Sequence, residues 1–289
     1  MTFSSAPTRR HFLAGAGALA VAPLLSAKPA AKSHLKIGVT DWNLHLSGNP
    51  DAVALAASLG FEGVEISLGN KPVDGKLPLA ADEIQQRYLA ELKKHSIAAA
   101  GTCLDILHVN YLKNDKLGQK WVADSIPITR KLNARVVLLP FFGKGSLTTH
   151  EEMDYVGDFL REIAPEAHKN SIVLGLEDMI SAEDNVRIID RARSQAVKVY
   201  YDVGNSTHAG FDPLKEIPWL GAARIAQFHL KDNPHYLGEG KIPFPEIMRL
   251  IGNLGFSGFA NLETDSPSKS VPDDMRRNLA YVRGLLKTA

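Results

Sequence analysis

The sequence predicts a single (β/α)8 TIM barrel of the α/β class, and three observations carry that expectation. Short apolar or β-branched runs alternate eight times with longer amphipathic segments. The runs are nearly continuous in apolar residues, as parallel strands covered by outer helices require. No G-x-G-x-x-G follows the first run and no G-x-x-x-x-G-K-[ST] occurs, so the glycine signatures of an open nucleotide-binding sheet are missing. A barrel needs about 250 residues. The 289-residue chain supplies them with no Pro/Gly/Ser-rich linker to divide it.

Taken in order, strands are expected at 35–40, 63–67, 98–104, 135–141, 172–177, 197–203, 223–230 and 258–263. A first helix fits 51–59, closed by Gly60. A second fits 80–95, where Ile84, Tyr88, Leu89 and Leu92 recur at three-and-four spacing. Helices fill the remaining intervals, the last over 273–287. Gly143-Lys144-Gly145-Ser146 lacks the upstream glycine of a phosphate loop and reads as a turn.

The first 31 residues are set apart from the barrel, which is assigned to 32–289. Thr8-Arg9-Arg10-His11-Phe12-Leu13 precedes an apolar run over 13–25 that Gly15, Gly17 and Pro23 interrupt. That run is short of the roughly 20 residues a bilayer span needs, so no stable membrane anchor is expected. It fits a removable export signal of the twin-arginine (Tat) type, with cleavage after Ala27 or Ala31. The Tat export machinery is then a partner, and the periplasm or the exterior the destination. The lone Cys103 rules out an intramolecular disulfide. A formal net charge of +1 gives no basic footprint, so no nucleic-acid partner is expected.

Four residues able to bind a metal end four successive expected strands: Glu177, Asp202, His229 and Glu263. In a parallel barrel those ends meet around the mouth, where active sites of this architecture lie. Each follows an apolar run, where an unpaired charge is costly, and a metal held by three carboxylates and one imidazole removes that cost.

The chain here resembles the xylose-isomerase-like barrels of the sugar phosphate isomerase/epimerase group, from about Leu35 to the C-terminus. The likeness is carried by Gly60-Phe61-Glu62-Gly63-Val64-Glu65, Gly175-Leu176-Glu177, Asp202-Val203-Gly204-Asn205, His229-Leu230-Lys231-Asp232, Gly238-Glu239-Gly240-Lys241-Ile242-Pro243-Phe244 and Leu262-Glu263. The resemblance implies that Glu177, Asp202, His229 and Glu263 hold one divalent cation. It also implies that Glu177 and Glu263 flank the substrate as acid and base. Ligand hardness favours Mn2+ in such an oxygen-rich set, with Mg2+, Co2+ or Zn2+ as alternatives. Glu65 matches a position near the mouth that touches substrate hydroxyls, although a helix cap fits equally well. Lys231 joins it as a substrate-binding candidate. Trp42 either stacks on a sugar ring or plugs the barrel. His235 stands where an epimerase relative carries a substrate-contacting Arg, or is a surface loop residue. Asn205 departs from the pattern, because several epimerases have His there; His208, three residues on, is the candidate substitute.

The expected activity is metal-dependent isomerisation or epimerisation of a sugar or keto-sugar through an enediolate. A lyase or dehydratase acting on an oxidised sugar or cyclitol shares its first step. An exported, non-catalytic sugar-binding barrel is the third reading, but binding alone does not call for both Glu177 and Glu263. A DNA-repair endonuclease on this scaffold would need many more histidine ligands and a basic surface. All but the endonuclease take a small-molecule carbohydrate as partner.

Overall fold

The computed structural model describes residues 34–287, and the proposed Tat leader over 1–31 lies outside the described residues. Eight parallel strands close into a barrel in chain order. The elements are β1 (His34–Thr40), α1 (Asp51–Leu59), β2 (Gly63–Ser67), α2 (Asp82–His95), β3 (Ala98–Cys103), α3 (Lys116–Lys131), β4 (Val136–Pro140), α4 (His150–Lys169) and β5 (Val173–Glu177). They continue with α5 (Ala182–Ala192), β6 (Val197–Asp202), α6 (Val203–His208), α7 (Pro213–Arg224), β7 (Ile225–Leu230), α8 (Phe244–Asn253), β8 (Ser257–Leu262) and α9 (Val271–Leu286). The barrel closes where β1 pairs with β8, from His34 opposite Ser257 to Val39 opposite Leu262.

Every expected strand is present, with bounds moved by no more than two residues. Val203 was expected in a strand but opens α6, because the Asp202 carboxylate accepts the Gly204 and Asn205 N–H groups at 2.7 and 2.8 Å and caps the helix. Ala223 and Arg224 extend α7 rather than β7. Ala80, expected to begin the second helix, instead closes a separate 3-10 turn, Pro78–Ala80, ahead of α2. α1 stops at Gly60, whose φ of 97° suits glycine and whose N–H returns to the Ala56 and Ala57 carbonyls.

Successive strand residues face opposite sides, which divides the protein into two cores. Ile37, Val39, Val64, Ile66, Leu174, Leu176, Phe228 and Leu230 are buried in the apolar core. The barrel interior is different in kind. Glu65, Tyr200, Gln227, His229 and Asn261 are all buried. They interlock: Asn261 Nδ2 donates to Tyr200 Oη at 2.8 Å, to Glu65 Oε2 at 3.0 Å and to Gln227 Oε1 at 3.3 Å.

Gly38 makes room for this polar layer. A Cβ there would lie 2.0 Å from Asn261 Oδ1, so a side chain must displace the amide. Gly38→Ala is expected to lower stability by roughly 1–3 kcal/mol, the usual penalty for overpacking an interior. Urea or thermal unfolding checks this, and an unchanged midpoint would show that Asn261 can move aside at no cost.

Candidate functional site

The side chains of the site rise from the barrel axis in steps of two residues. On β7 they are Gln227, His229 and, just past the strand, Lys231; on β8, Asn261 and then Glu263. Tyr200 and Asp202 do the same on β6, and Glu177 stands on β5 two residues beyond Gly175, which leaves room for Tyr200. Register places Asp202 opposite His229, and His229 opposite Asn261. The apolar residues between them turn outward into the helix-covered core.

At the upper step Glu177, Asp202, His229 and Glu263 converge, each offering one ligand atom within 4.8 Å of all the others. His229 Nδ1 is 2.9 Å from Glu177 Oε1, 3.4 Å from Glu263 Oε2 and 3.8 Å from Asp202 Oδ2. Lys231 Nζ bridges Asp202 Oδ2 at 2.8 Å and Glu263 Oε2 at 2.6 Å. The Trp42 indole N–H donates to Glu263 Oε1 at 3.0 Å, and its ring stands edge-on to His229 at 6.0 Å. Asn205 Nδ2 reaches Glu177 Oε1 at 3.4 Å.

So many charges in a buried space perturb one another. Burial pushes the Asp202 carboxyl up to about 7, although Lys231 pulls it down. Burial also raises Glu177, against the pull of His229. Burial would raise Glu263 too, yet His229 and Lys231 together hold it well below the usual carboxylate range. For His229 burial acts downward, but Glu263, Glu177 and Glu65 hold the imidazole well above its ordinary value. These directions describe the chain without a metal.

The residues fit a divalent cation. With His229 neutral, as ligation requires, three carboxylates against the Lys231 ammonium leave two negative charges in a buried cluster, and a dication neutralises them. Three oxygen donors and one nitrogen donor match a hard or borderline ion.

The cluster forms one side of a cavity of about 320 Å³. Trp42, Glu177, Asn205, Lys231 and Glu263, all singled out in the sequence, line it. The opposite wall comes from Cys103, Asp105, His108, Pro140 and Phe142, which sequence reasoning missed. The rings of His108 and Phe142 stack at 6.1 Å. Asp105 Oδ2 accepts the Ser67 hydroxyl at 2.7 Å, and burial raises its carboxyl despite that bond. Asp105 immediately follows the strand expected at 98–104, and that position at the rim was the available clue.

Three expected substrate contacts are placed elsewhere. Glu65 is fully buried below the cluster and bonds His229 Nε2 at 2.8 Å, so no hydroxyl of a ligand in the cavity meets it. Its strand position is right, but it sits one step too low along the barrel. His208 is exposed at the end of α6, and His235 is exposed in the loop after β7; neither lines the cavity. The Asp232 carboxylate turns that loop outward by accepting the Gly238 and Gly240 N–H groups at 3.1 and 2.9 Å.

A closed parallel barrel with a convergent acidic and imidazole set at the carboxyl ends of its strands defines a TIM-barrel protein with a candidate metal centre. The family model described as Xylose isomerase-like TIM barrel matches residues 53–285, and the chain belongs to that family. No curated protein matches the chain by sequence. Among solved structures, the fold is similar to D-allulose 3-epimerase from Methylomonas sp. (15% identity, TM-score 0.70, 89% of this chain and 100% of that one). It is similar to D-psicose 3-epimerase from Clostridium cellulolyticum H10, solved with D-tagatose (16% identity, TM-score 0.73, 87% and 99%). The 3-keto-D-glucoside 4-epimerase from E. coli is a third (16% identity, TM-score 0.65, 86% and 99%). Among the described residues, no helix is long and apolar enough to cross a membrane.

Proposed function

We propose that the protein is a metal-dependent isomerase or epimerase of a sugar or keto-sugar, with Glu177 and Glu263 as its acid–base pair. The observation that carries this reading is the convergence of those two carboxylates with Asp202 and His229 beside one cavity. Family membership and the sugar epimerases of similar fold support it.

Glu177, Asp202, His229 and Glu263 would hold the cation, Mn2+ by preference. When bound, the cation would act as a Lewis acid towards a substrate carbonyl. The chain's own residues do the rest. One glutamate takes the proton from the carbon beside the carbonyl, leaving an enediolate, and the other returns a proton. Delivery to the opposite face inverts the carbon. Lys231, anchored on Asp202 and Glu263, keeps a positive charge beside the developing oxyanion. Trp42 fixes Glu263 through its indole N–H and offers a flat apolar face to a sugar ring.

The substrate in this reading is not phosphorylated. Among the described residues lining the cavity, three are carboxylates, and the one lysine is already engaged by two of the site's acids. Among the described residues, no lysine or arginine lining the cavity is left free to pair with a phosphate. The Arg9-Arg10-His11-Phe12-Leu13 segment supports a place outside the cytoplasm, where free sugars rather than sugar phosphates are met.

The test is a screen of free, phosphorylated and 3-oxidised sugars with the Mn2+-loaded protein, read by mass and NMR. Products of unchanged mass from a non-phosphorylated sugar are expected. Loss of water or an alcohol would make the protein a lyase, and a strong preference for phosphorylated sugars would overturn the substrate class.

A further inference from the structure

Beneath the cluster lies a charged side chain that the proposed reaction does not use. Glu65 is fully buried inside the barrel, where a carboxylate without partners would be severely penalised. Its Oε2 collects three donors: the Tyr200 hydroxyl at 2.8 Å, Asn261 Nδ2 at 3.0 Å and the Nε2 edge of His229 at 2.8 Å. The surrounding backbone is shaped around this group. A Cβ at Gly101 would lie 3.3 Å from Glu65 Oε1, and one at Gly38 would collide with Asn261. Tyr200 also packs against the His229 ring, with centroids 4.5 Å apart, so that the ring is gripped on its face as well as its edge.

An imidazole has two nitrogens, and a bond at one decides what the other can do. A carboxylate at Nε2 requires the hydrogen there. Nδ1, which faces Glu177, Glu263 and Asp202, is then left with its lone pair for a cation.

We infer that Glu65 is a positioning residue: with Tyr200 and Asn261 it locks His229 in the Nε2–H tautomer and so sets how tightly the centre holds its metal. This rests on the proposed metal centre and extends it to a side chain that touches neither metal nor substrate. Glu65 also raises the donor strength of Nδ1, because a carboxylate on the far side of the ring pushes electron density toward it.

The test uses the full chain, stripped of metal and titrated with Mn2+ alone by calorimetry, beside Glu65→Leu and Glu65→Gln. Glu65→Leu removes charge and acceptor and is expected to weaken Mn2+ binding by about 10–100-fold, the usual effect of losing such a partner. Glu65→Gln keeps an acceptor for Nε2–H and is expected to lose less, which a purely space-filling role would not predict. It also carries the test if the leucine variant fails to fold. Nitrogen-15 NMR of histidine in the Zn2+-loaded chain should show the proton of His229 on Nε2. Mn2+ affinity in folded Glu65 variants within twofold of the parent would overturn the inference while leaving the metal centre standing, whereas a proton on Nδ1 would take His229 out of the ligand set and overturn both. A parent chain that binds no divalent ion would overturn the centre itself, and this inference with it.

Discussion

Replacing Glu177 or Glu263 with Gln is expected to cut kcat by about 10²–10⁴-fold, the usual cost of removing a general acid or base. Glutamine keeps the shape and the hydrogen-bonding reach of each side chain. At 177 it can still meet the Asn205 amide, and at 263 it can still accept from Trp42. What it cannot do is exchange a proton with a carbon acid. Stability should change least at 177, where burial already disfavours the charge and raises the carboxyl. Both variants have to be assayed at saturating Mn2+ with their metal content measured, since each also loses a ligand charge. Turnover near that of the parent in either metal-loaded variant would rule out the acid–base assignment.

Removing the metal should have an equally large effect and a distinctive pH dependence. A chelator-stripped chain is expected to lose turnover by more than about 10³-fold and to recover it with Mn2+, since in the proposed reaction the cation would carry the Lewis-acid role. Reloading should also raise the melting temperature: a ligand at a thousand times its Kd adds about 4 kcal/mol of stability. The pH dependence follows from proton competition. In the metal-free chain burial pushes Asp202 up to about 7, so below that pH the carboxyl holds a proton that a cation must displace. Mn2+ affinity should therefore rise as pH climbs through about 7 and go on rising above it, because Glu263, Glu177 and Glu65 hold the His229 proton well above the ordinary imidazole range, with protons released on binding. Calorimetry in buffers of different ionisation enthalpy measures both. Full activity with Zn2+ at unit stoichiometry would displace Mn2+ as the working ion, and an active metal-free protein would remove the centre.

The barrel and the level of its mouth were legible in the sequence because both follow from period and polarity. Eight apolar runs must be buried on both faces, and an acidic or imidazole residue ending such a run falls at the carboxyl rim. That logic reaches Glu177, Asp202, His229 and Glu263, and the structure brings them together. It fails for Glu65 because alternation says which side of a strand a residue faces, not how high along the axis it stands. Height depends on stagger between neighbours, and a register shift between β2 and β3 falls between Val64 and Glu65. The wall of Asp105, His108 and Phe142 escaped for another reason. His108 ends a short 3-10 turn, Asp105–His108, and Phe142 lies in the loop after β4; the path of both is set by tertiary contacts such as the Ser67–Asp105 bond. The same limit applies to His235, whose loop is turned outward by a single buried aspartate.

The junction between β6 and α6 illustrates how little latitude such a site leaves to evolution. One oxygen of Asp202 holds the first turn of a helix, while the other faces the cluster. Asparagine could cap the helix but would bring no charge. Serine has a single oxygen and could not serve both sides, and glutamate, longer by one methylene, would push its carboxyl past the amides it has to meet. Any lineage that gave up this aspartate would have to rebuild a loop and a ligand in the same step. Drift should therefore accumulate around the opposite wall of the cavity, where Phe142 and His108 can be exchanged one at a time and new specificities explored without disturbing the chemistry.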